Sequence, residues 1–182
     1  MCKHEEKSFP GLTFITGGAR SGKSRHAQEL ALQWSDNPVY VATSRKWDDE
    51  EFRQRIQRHR QERDHRWTSL EEEKYLSRLD MEGRVVVIDC VTLWLTNFFI
   101  DLKYDVDTCL EACKKEIDAL CEKKAILLIV SNEIGMGVHA ETEIGRKFTD
   151  LQGWMNQYLA ARADHVLLMV SGIPVRIKGS AI

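Results

Sequence analysis

The chain has 182 residues, 43% of them hydrophobic and 30% charged, with a formal net charge of −2 at pH 7. This length suits one domain with a proper hydrophobic core, here residues 12–182, and a second full domain is not expected. The near-neutral charge excludes the global basic field of a protein whose main partner is nucleic acid. Five cysteines form an odd, unpatterned set, which argues against a disulfide framework.

No apolar run approaches the roughly 18 residues that a membrane span needs. The polar residues 1–11 lack the apolar centre of a secretion signal, so we expect them to be a loosely ordered leader. Together these features predict a cytoplasmic protein without a membrane partner.

The first apolar run, residues 12–16, indicates a buried strand, and residues 24–32 indicate a helix. Between them the pattern G-x-x-x-x-G-K-[ST] is met at every fixed position. Its backbone N–H groups can curl around phosphate oxygens, Lys23 can reach the outer phosphates, and the Ser24 hydroxyl can ligate Mg²⁺. The segment therefore predicts a nucleoside triphosphate ligand, although a plain glycine-rich turn is the alternative. Its residues are Gly17, Gly18, Ala19, Arg20, Ser21, Gly22, Lys23 and Ser24.

A second buried strand is predicted at residues 39–42, followed by a helix at 48–63 that begins acidic and ends basic, as the helix dipole favours. His59 shares the apolar stripe of this helix with Phe52 and Ile56, so it should face inward or into a cleft. Neighbouring arginines should lower the pKa of its imidazole, leaving a neutral ring that can attack the α-phosphorus of a triphosphate. The alternative is a charged, solvated helix with one incidental histidine.

Residues 84–89 form the third predicted strand, which ends at Asp89. A carboxylate in this position holds Mg²⁺ in enzymes with a phosphate-binding loop, and we assign Asp89 that role. The alternative is that Asp89 caps a following helix around Thr92. Glu133, after the apolar residues 126–130, is a weaker carboxylate of the same kind at the same sheet edge.

The remaining pattern alternates helices with buried strands, which is typical of a parallel α/β sheet with helices on both faces. Residues 175–178 suit a last, short edge strand with one face in water. The other predicted elements are helices at 93–99, 105–123 and 141–163 and strands at 125–131 and 165–170.

Several separated segments together resemble one family, the bifunctional adenosylcobinamide kinase / adenosylcobinamide-phosphate guanylyltransferases of cobalamin biosynthesis. The similarity covers nearly the whole chain after residue 11. Asp89 stands where members often have Glu, and Arg58 where some have a second His. The segments that carry the resemblance are residues 16–27, 40–44, 48–50, 55–60, 89–92, 96–97, 130–137 and 170–178.

This resemblance implies a RecA-like P-loop NTPase fold, a homotrimer and two reactions. ATP or GTP would phosphorylate adenosylcobinamide, and GMP from GTP would then pass to that phosphate through a guanylyl-histidine, with Mg²⁺ as cofactor. His59 matches the histidine that carries GMP. The positions that match the family's nucleotide contacts are Gly17 to Ser24, Ala42, Thr43, Ser44, Arg60, Gln61, Glu62, Arg63, Glu71 and Asp89.

Two other functions are compatible with the loop. A small-molecule kinase would use the loop, Mg²⁺ and Asp89 but leave His59 without a role. A nucleotide-binding regulatory switch is less well supported, because the chain lacks an N-K-x-D guanine motif and has no D-x-x-G switch segment directly after the third strand.

Overall fold

A computed structural model describes residues 11–45 and 63–180 of the chain. The described elements, in chain order, are β1 (Leu12–Gly17), α1 (Lys23–Trp34), β2 (Val39–Ala42), β3 (Thr68–Glu71), a 3₁₀-helix (Leu76–Arg78), β4 (Val85–Asp89), α2 (Val91–Asp101), α3 (Val106–Cys121), β5 (Ile126–Val130), α4 (Glu143–Arg162), β6 (His165–Val170) and β7 (Ile173–Lys178).

The strands form one seven-stranded sheet in the order β3, β2, β4, β5, β1, β6, β7. All neighbouring pairs are parallel except β6 and β7, which are antiparallel. The carboxyl ends of six strands therefore meet at one edge, where open α/β sheets bind their ligands. The predicted α/β class, a mostly parallel sheet flanked by helices, is confirmed.

The two faces of the sheet pack against different helices because side chains alternate along each strand. Tyr40, Val87 and Leu128 point to the side covered by α1 and form one core cluster with its buried face. Alternate strand residues such as Val41 and Ile88 pack on the other side against α2, α3 and α4. Strands buried on both faces appear in the sequence as continuous apolar runs, and that is why they are recognisable.

Local capping sets where the two longest helices start. The Asp105 carboxylate accepts the backbone N–H of Thr108 ahead of α3, and the Thr142 hydroxyl accepts that of Gly145 ahead of α4. Both helices lie within the predicted ranges. Helix α2 extends beyond the predicted residues 93–99 at both ends.

Two strands differ from expectation. β3 was not predicted, since three of its four residues are exposed and only Leu70 is apolar. β7 starts at Ile173, two residues earlier than predicted, and every residue in it is exposed, so the expected single wet face is wrong. The residues of β7 are exposed because it is the last strand of the sheet and pairs only with β6.

The leader, residues 1–10, and the predicted helix at 48–63, apart from Arg63, lie outside the described residues. Within the described ranges, none of the helices combines the length and the apolar character needed to cross a membrane.

Candidate nucleotide-binding and catalytic site

The loop between β1 and α1 has the conformation that its glycines permit. Gly17 has φ 148°, and Gly22, the N-cap residue that precedes α1, has φ 96°. A Cβ atom on Gly17 would lie 2.6 Å from the backbone oxygen of Met169. Glycine is therefore required at this position both by the backbone angle and by the close approach of β6.

Lys23 lies inside the loop rather than in solvent. Its side chain is buried, and its Nζ donates a 2.6 Å hydrogen bond to the carbonyl oxygen of Gly18. The amino terminus of α1 adds partial positive charge at the same place. The loop thus brings an ammonium group, backbone N–H groups and a helix end together, which is the arrangement that binds phosphate.

Segments on both sides hold this loop in place. The N–H of Glu133, after β5, donates to the carbonyl of Gly17 at 3.1 Å, and the N–H of Gly172, in the turn between β6 and β7, donates to that of Ser21 at 2.9 Å. The loop is therefore fixed by both neighbours of β1.

Asp89 lies at the carboxyl end of β4 on the side of the sheet that carries α1. It does not cap α2, which starts after Cys90 without a side-chain cap, so the capping alternative is wrong. Its Oδ2 instead accepts a 2.9 Å hydrogen bond from the hydroxyl of Tyr40. Burial, with the adjacent Asp89 charge, raises the pKa of Tyr40 well above its ordinary value, so the phenol stays a donor.

Arg63 packs on one face of the Tyr40 ring. Its guanidinium carbon lies 3.8 Å above the centre of the Tyr40 ring, and Trp67 meets the ring edge-on at 6.1 Å. Arg63 Nε and Nη1 are buried and have no hydrogen-bond partner among the described residues. Buried guanidinium donors without partners are costly, and a phosphate oxygen would satisfy them.

The predicted contacts Ala42 and Glu71 lie in register beside Asp89. Ala42 is paired with Asp89 on one side and with Glu71 on the other. Thr43, fully buried, fixes this corner because its Oγ1 accepts the N–H of Cys90 at 2.9 Å and donates to the Cys90 carbonyl at 2.8 Å. Ser44 follows, half-buried. The structure thus brings this second group of predicted residues together at the same edge as the loop.

A buried polar network lies on the opposite face, against α4. Oε1 of Glu133 accepts hydrogen bonds from Thr16 Oγ1 at 2.6 Å and from Asn156 Nδ2 at 3.0 Å. Asn156 is itself held by Ser131 at 2.7 Å and by Gln152 at 3.1 Å. The Glu133 carboxylate is consequently fixed in orientation next to the loop.

The remaining predicted site residues, His59, Arg60, Gln61 and Glu62, lie outside the described residues. In the described part, no group of three or more His, Cys, Asp and Glu side chains forms a metal site. A magnesium ion at Ser24 and Asp89 would accordingly take its other ligands from phosphate and water, as is usual for Mg²⁺.

The sequence reasoning missed three residues that shape the site: Tyr40, Thr16 and Asn156. For Tyr40 a signal existed, because a tyrosine within a buried aliphatic strand needs a partner for its hydroxyl, and the next buried strand ends in Asp89. Nothing in the local sequence identifies Asn156, which reaches Glu133 only when α4 packs against the sheet.

The family model of cobinamide kinase / cobinamide phosphate guanyltransferase matches residues 13–177. The bifunctional adenosylcobalamin biosynthesis protein CobU of Escherichia coli (strain K12) is 40% identical, and the match covers 92% of this chain and 99% of that protein. Protein CobP of Pseudomonas aeruginosa, with the same description, is 40% identical over 170 residues, 91% of this chain and 96% of that protein.

A solved structure from Pyrococcus horikoshii OT3 is similar in fold, with a TM-score of 0.51 and 10% sequence identity. The similarity covers 95% of this chain and 89% of the other. At this identity it supports the architecture alone.

Proposed function

We propose two successive reactions for this chain, because it belongs to the cobinamide kinase / cobinamide phosphate guanyltransferase family. ATP or GTP first phosphorylates the aminopropanol hydroxyl of adenosylcobinamide. GTP then gives its GMP unit to the new phosphate, which yields adenosyl-GDP-cobinamide and pyrophosphate. A single catalytic domain, residues 12–182, performs both.

The observation that carries the nucleotide part is the position of Lys23, buried in the loop with its Nζ 2.6 Å from the Gly18 carbonyl. An ammonium held there can neutralise the outer phosphates of either nucleotide. The other proposed loop contacts are Gly17, Gly18, Ala19, Arg20, Ser21, Gly22 and Ser24.

Mg²⁺ is the proposed cofactor, held by Ser24 and Asp89. Asp89 lies on the α1 side of the sheet, and Ser24 is the second residue of α1, so both oxygen donors face the same side. Asp89 uses only Oδ2 for Tyr40, and Oδ1 forms no hydrogen bond with the described residues. The ion would supply charge neutralisation on the phosphates.

For the second reaction we propose His59 as the nucleophile. An imidazole nitrogen forms a bond to the α-phosphorus of GTP, pyrophosphate leaves, and an oxygen of the acceptor phosphate later displaces the histidine. The buried Nε and Nη1 of Arg63, which have no hydrogen-bond partner in the part of the chain that the structure describes, support phosphate binding in this neighbourhood. We propose Ala42, Thr43, Ser44, Arg60, Gln61, Glu62 and Glu71 as further nucleotide contacts.

Labelling with GTP radioactive at the α-phosphate tests this function. We expect acid-labile, alkali-stable label on the wild-type protein and none on His59→Ala, whose phosphorylation step should continue. His65→Ala is the matched control, since His65 is exposed and also lies among charged residues. Label retained on His59→Ala would eliminate the proposed nucleophile.

Lys23→Ala separates a shared nucleotide site from two independent ones. Because one loop positions the triphosphate for both steps, we expect both rates to fall. Normal phosphorylation by this variant would contradict a shared site. A small-molecule kinase without the second activity would phosphorylate adenosylcobinamide but take up no label.

We further propose a cytoplasmic homotrimer. The exposed apolar side chains of β7 support self-association, with Ile173 65% and Ile177 61% accessible. Light scattering during gel filtration tests this, and a monomeric mass at micromolar concentration would contradict it.

A further inference from the structure

Two of the carboxylates at the binding edge, those of Asp89 and Glu133, lie on opposite faces of the sheet. Asp89 is on the α1 side, with Tyr40. Glu133 is on the α4 side, because its partners are Thr16, which alternation places away from α1, and Asn156 of α4. The phosphate-binding loop starts at Gly17, between these two positions.

Their positions along the sheet also differ. β5 pairs directly with β1, whereas β4 lies one strand further away. The Glu133 N–H donates to the Gly17 carbonyl, so this residue touches the start of the loop itself. Glu133 is thus bonded to the loop through its backbone N–H, while its carboxylate faces away from the side of the sheet that carries α1 and Ser24.

Two hydrogen bonds fix the orientation of the Glu133 carboxylate before any ligand binds. Both of its donors bind Oε1, and Oε2 makes no hydrogen bond with any described residue. Thr16 and Asn156 are only 6% and 7% exposed, so the donors themselves cannot easily turn away. One oxygen fixes the group, and the other is available to a ligand.

The loop beyond Glu133 exposes two large apolar side chains. Met136 is 76% exposed and Val138 is 97% exposed, on the loop that leads from β5 to α4. An amphipathic macrocycle that carries the reacting hydroxyl can approach along this apolar loop, beside Glu133 and opposite the proposed metal side.

We propose that Glu133 is the general base of the phosphorylation step, an inference that rests on the proposed function. The acceptor hydroxyl oxygen forms a bond to the γ-phosphorus, the bond from that phosphorus to the β,γ-bridging oxygen breaks, and the nucleoside diphosphate leaves with the electron pair. The hydroxyl proton passes to Glu133 Oε2 and then to water. Guanylyl transfer does not use Glu133, because its acceptor is an already ionised phosphate.

Glu133→Gln is the decisive variant, because the amide oxygen can still accept from Thr16 and Asn156 while its basicity is lost. We expect the kcat of adenosylcobinamide phosphorylation to fall about 100-fold to 10,000-fold. Guanylyl transfer to adenosylcobinamide phosphate should stay within about 2-fold, as should the affinity for Mg-GTP, because no proton is removed there. Glu141→Gln, an exposed carboxylate on the same loop, is the control and should leave both rates unchanged.

Other outcomes would overturn the inference. An equal loss of both rates would assign Glu133 to metal or nucleotide binding, and an unchanged phosphorylation rate would exclude a base. If wild type formed no phosphorylated acceptor, the proposed function itself would fail, which is a distinct result. Should Glu133→Gln not fold, Glu133→Asp decides: it keeps a carboxylate on an arm one methylene shorter, so kcat of phosphorylation should fall while kcat of guanylyl transfer stays unchanged. An equal fall of both rates in this variant would contradict the inference.

Discussion

Gly17 and Gly18 are adjacent in sequence but differ in what an added methyl group would meet. In Gly17→Ala the new Cβ would lie 2.6 Å from the Met169 backbone oxygen and 2.9 Å from Ser21 Oγ, at a φ of +148°. In Gly18→Ala nothing lies within 4 Å, and no positive φ occurs. The pair therefore isolates the cost of a side chain at one position of the loop.

The magnitude follows from two contributions. A non-glycine residue in such a backbone region costs about 1–3 kcal/mol, and overlap with a strand backbone that cannot move adds about 1–3 kcal/mol. We expect Gly17→Ala to lose about 2–6 kcal/mol of unfolding free energy, which lowers Tm by roughly 4–24 °C in a protein of this size. Gly18→Ala should change stability by less than about 0.5 kcal/mol.

Urea denaturation with linear extrapolation measures both variants, and GTP titration followed by intrinsic fluorescence measures their binding. Binding should weaken in Gly17→Ala beyond what unfolding explains, because the loop must move away from β6. Equal stability of the two variants would refute the argument from close approach.

Two further predictions concern charge. Tyr40→Phe removes the 2.9 Å hydrogen bond to Asp89 and should cost about 1.5–3 kcal/mol at neutral pH, with Tyr75→Phe, an exposed tyrosine, as the control. Because the pKa of Tyr40 is raised in the folded state, the unfolded chain loses this proton first, so wild-type stability should fall as pH rises above roughly 10. Stability should fall less steeply with pH in Tyr40→Phe. The same loss of unfolding free energy with pH in both proteins, measured by urea denaturation, would contradict this. Hydrogen bonds from Arg45 and Lys74 hold the pKa of Asp101 well below its usual range. Asp101→Asn should therefore cost about 1 kcal/mol at pH 7, and nothing once the pH falls below the folded pKa of Asp101. The difference between the urea midpoints should begin to shrink as the pH falls below the ordinary aspartate pKa of about 3.9 and continue to shrink down to about pH 2, and a constant difference would show that charge is not involved.

The buried strands could be predicted because burial on both faces demands continuous apolar residues. β3 could not, since it is a strand only through its pairing with β2, as in Val39 with Thr68, and its own residues are mostly polar. The predicted start of β7 lies two residues after the observed one because Pro174 interrupts the start of the strand, although an edge strand tolerates proline.

The position of the glycine-rich loop between β1 and α1 could be predicted, because its motif is contiguous in sequence. The rest of the site depends on contacts between distant elements. Arg63 reaches Tyr40, 23 positions earlier, only because β2 and the segment before β3 lie side by side. Glu133 was visible as a strand-end carboxylate, but its fixed orientation follows from α4 and could not be derived from spacing.

The contact between Ser21 and Gly172 links the last hairpin of the chain to the nucleotide loop. Gly172 N–H donates to the Ser21 carbonyl, and a Cβ on Gly22 would lie 3.2 Å from the Gly172 Cα. This single amide can therefore serve as a built-in reporter of loop opening: its deuterium uptake should slow when a triphosphate is bound. Proteolytic cleavage of the turn between β6 and β7 should remove this support of the loop and weaken triphosphate binding. The cleavage would leave every residue that is proposed to contact the nucleotide intact.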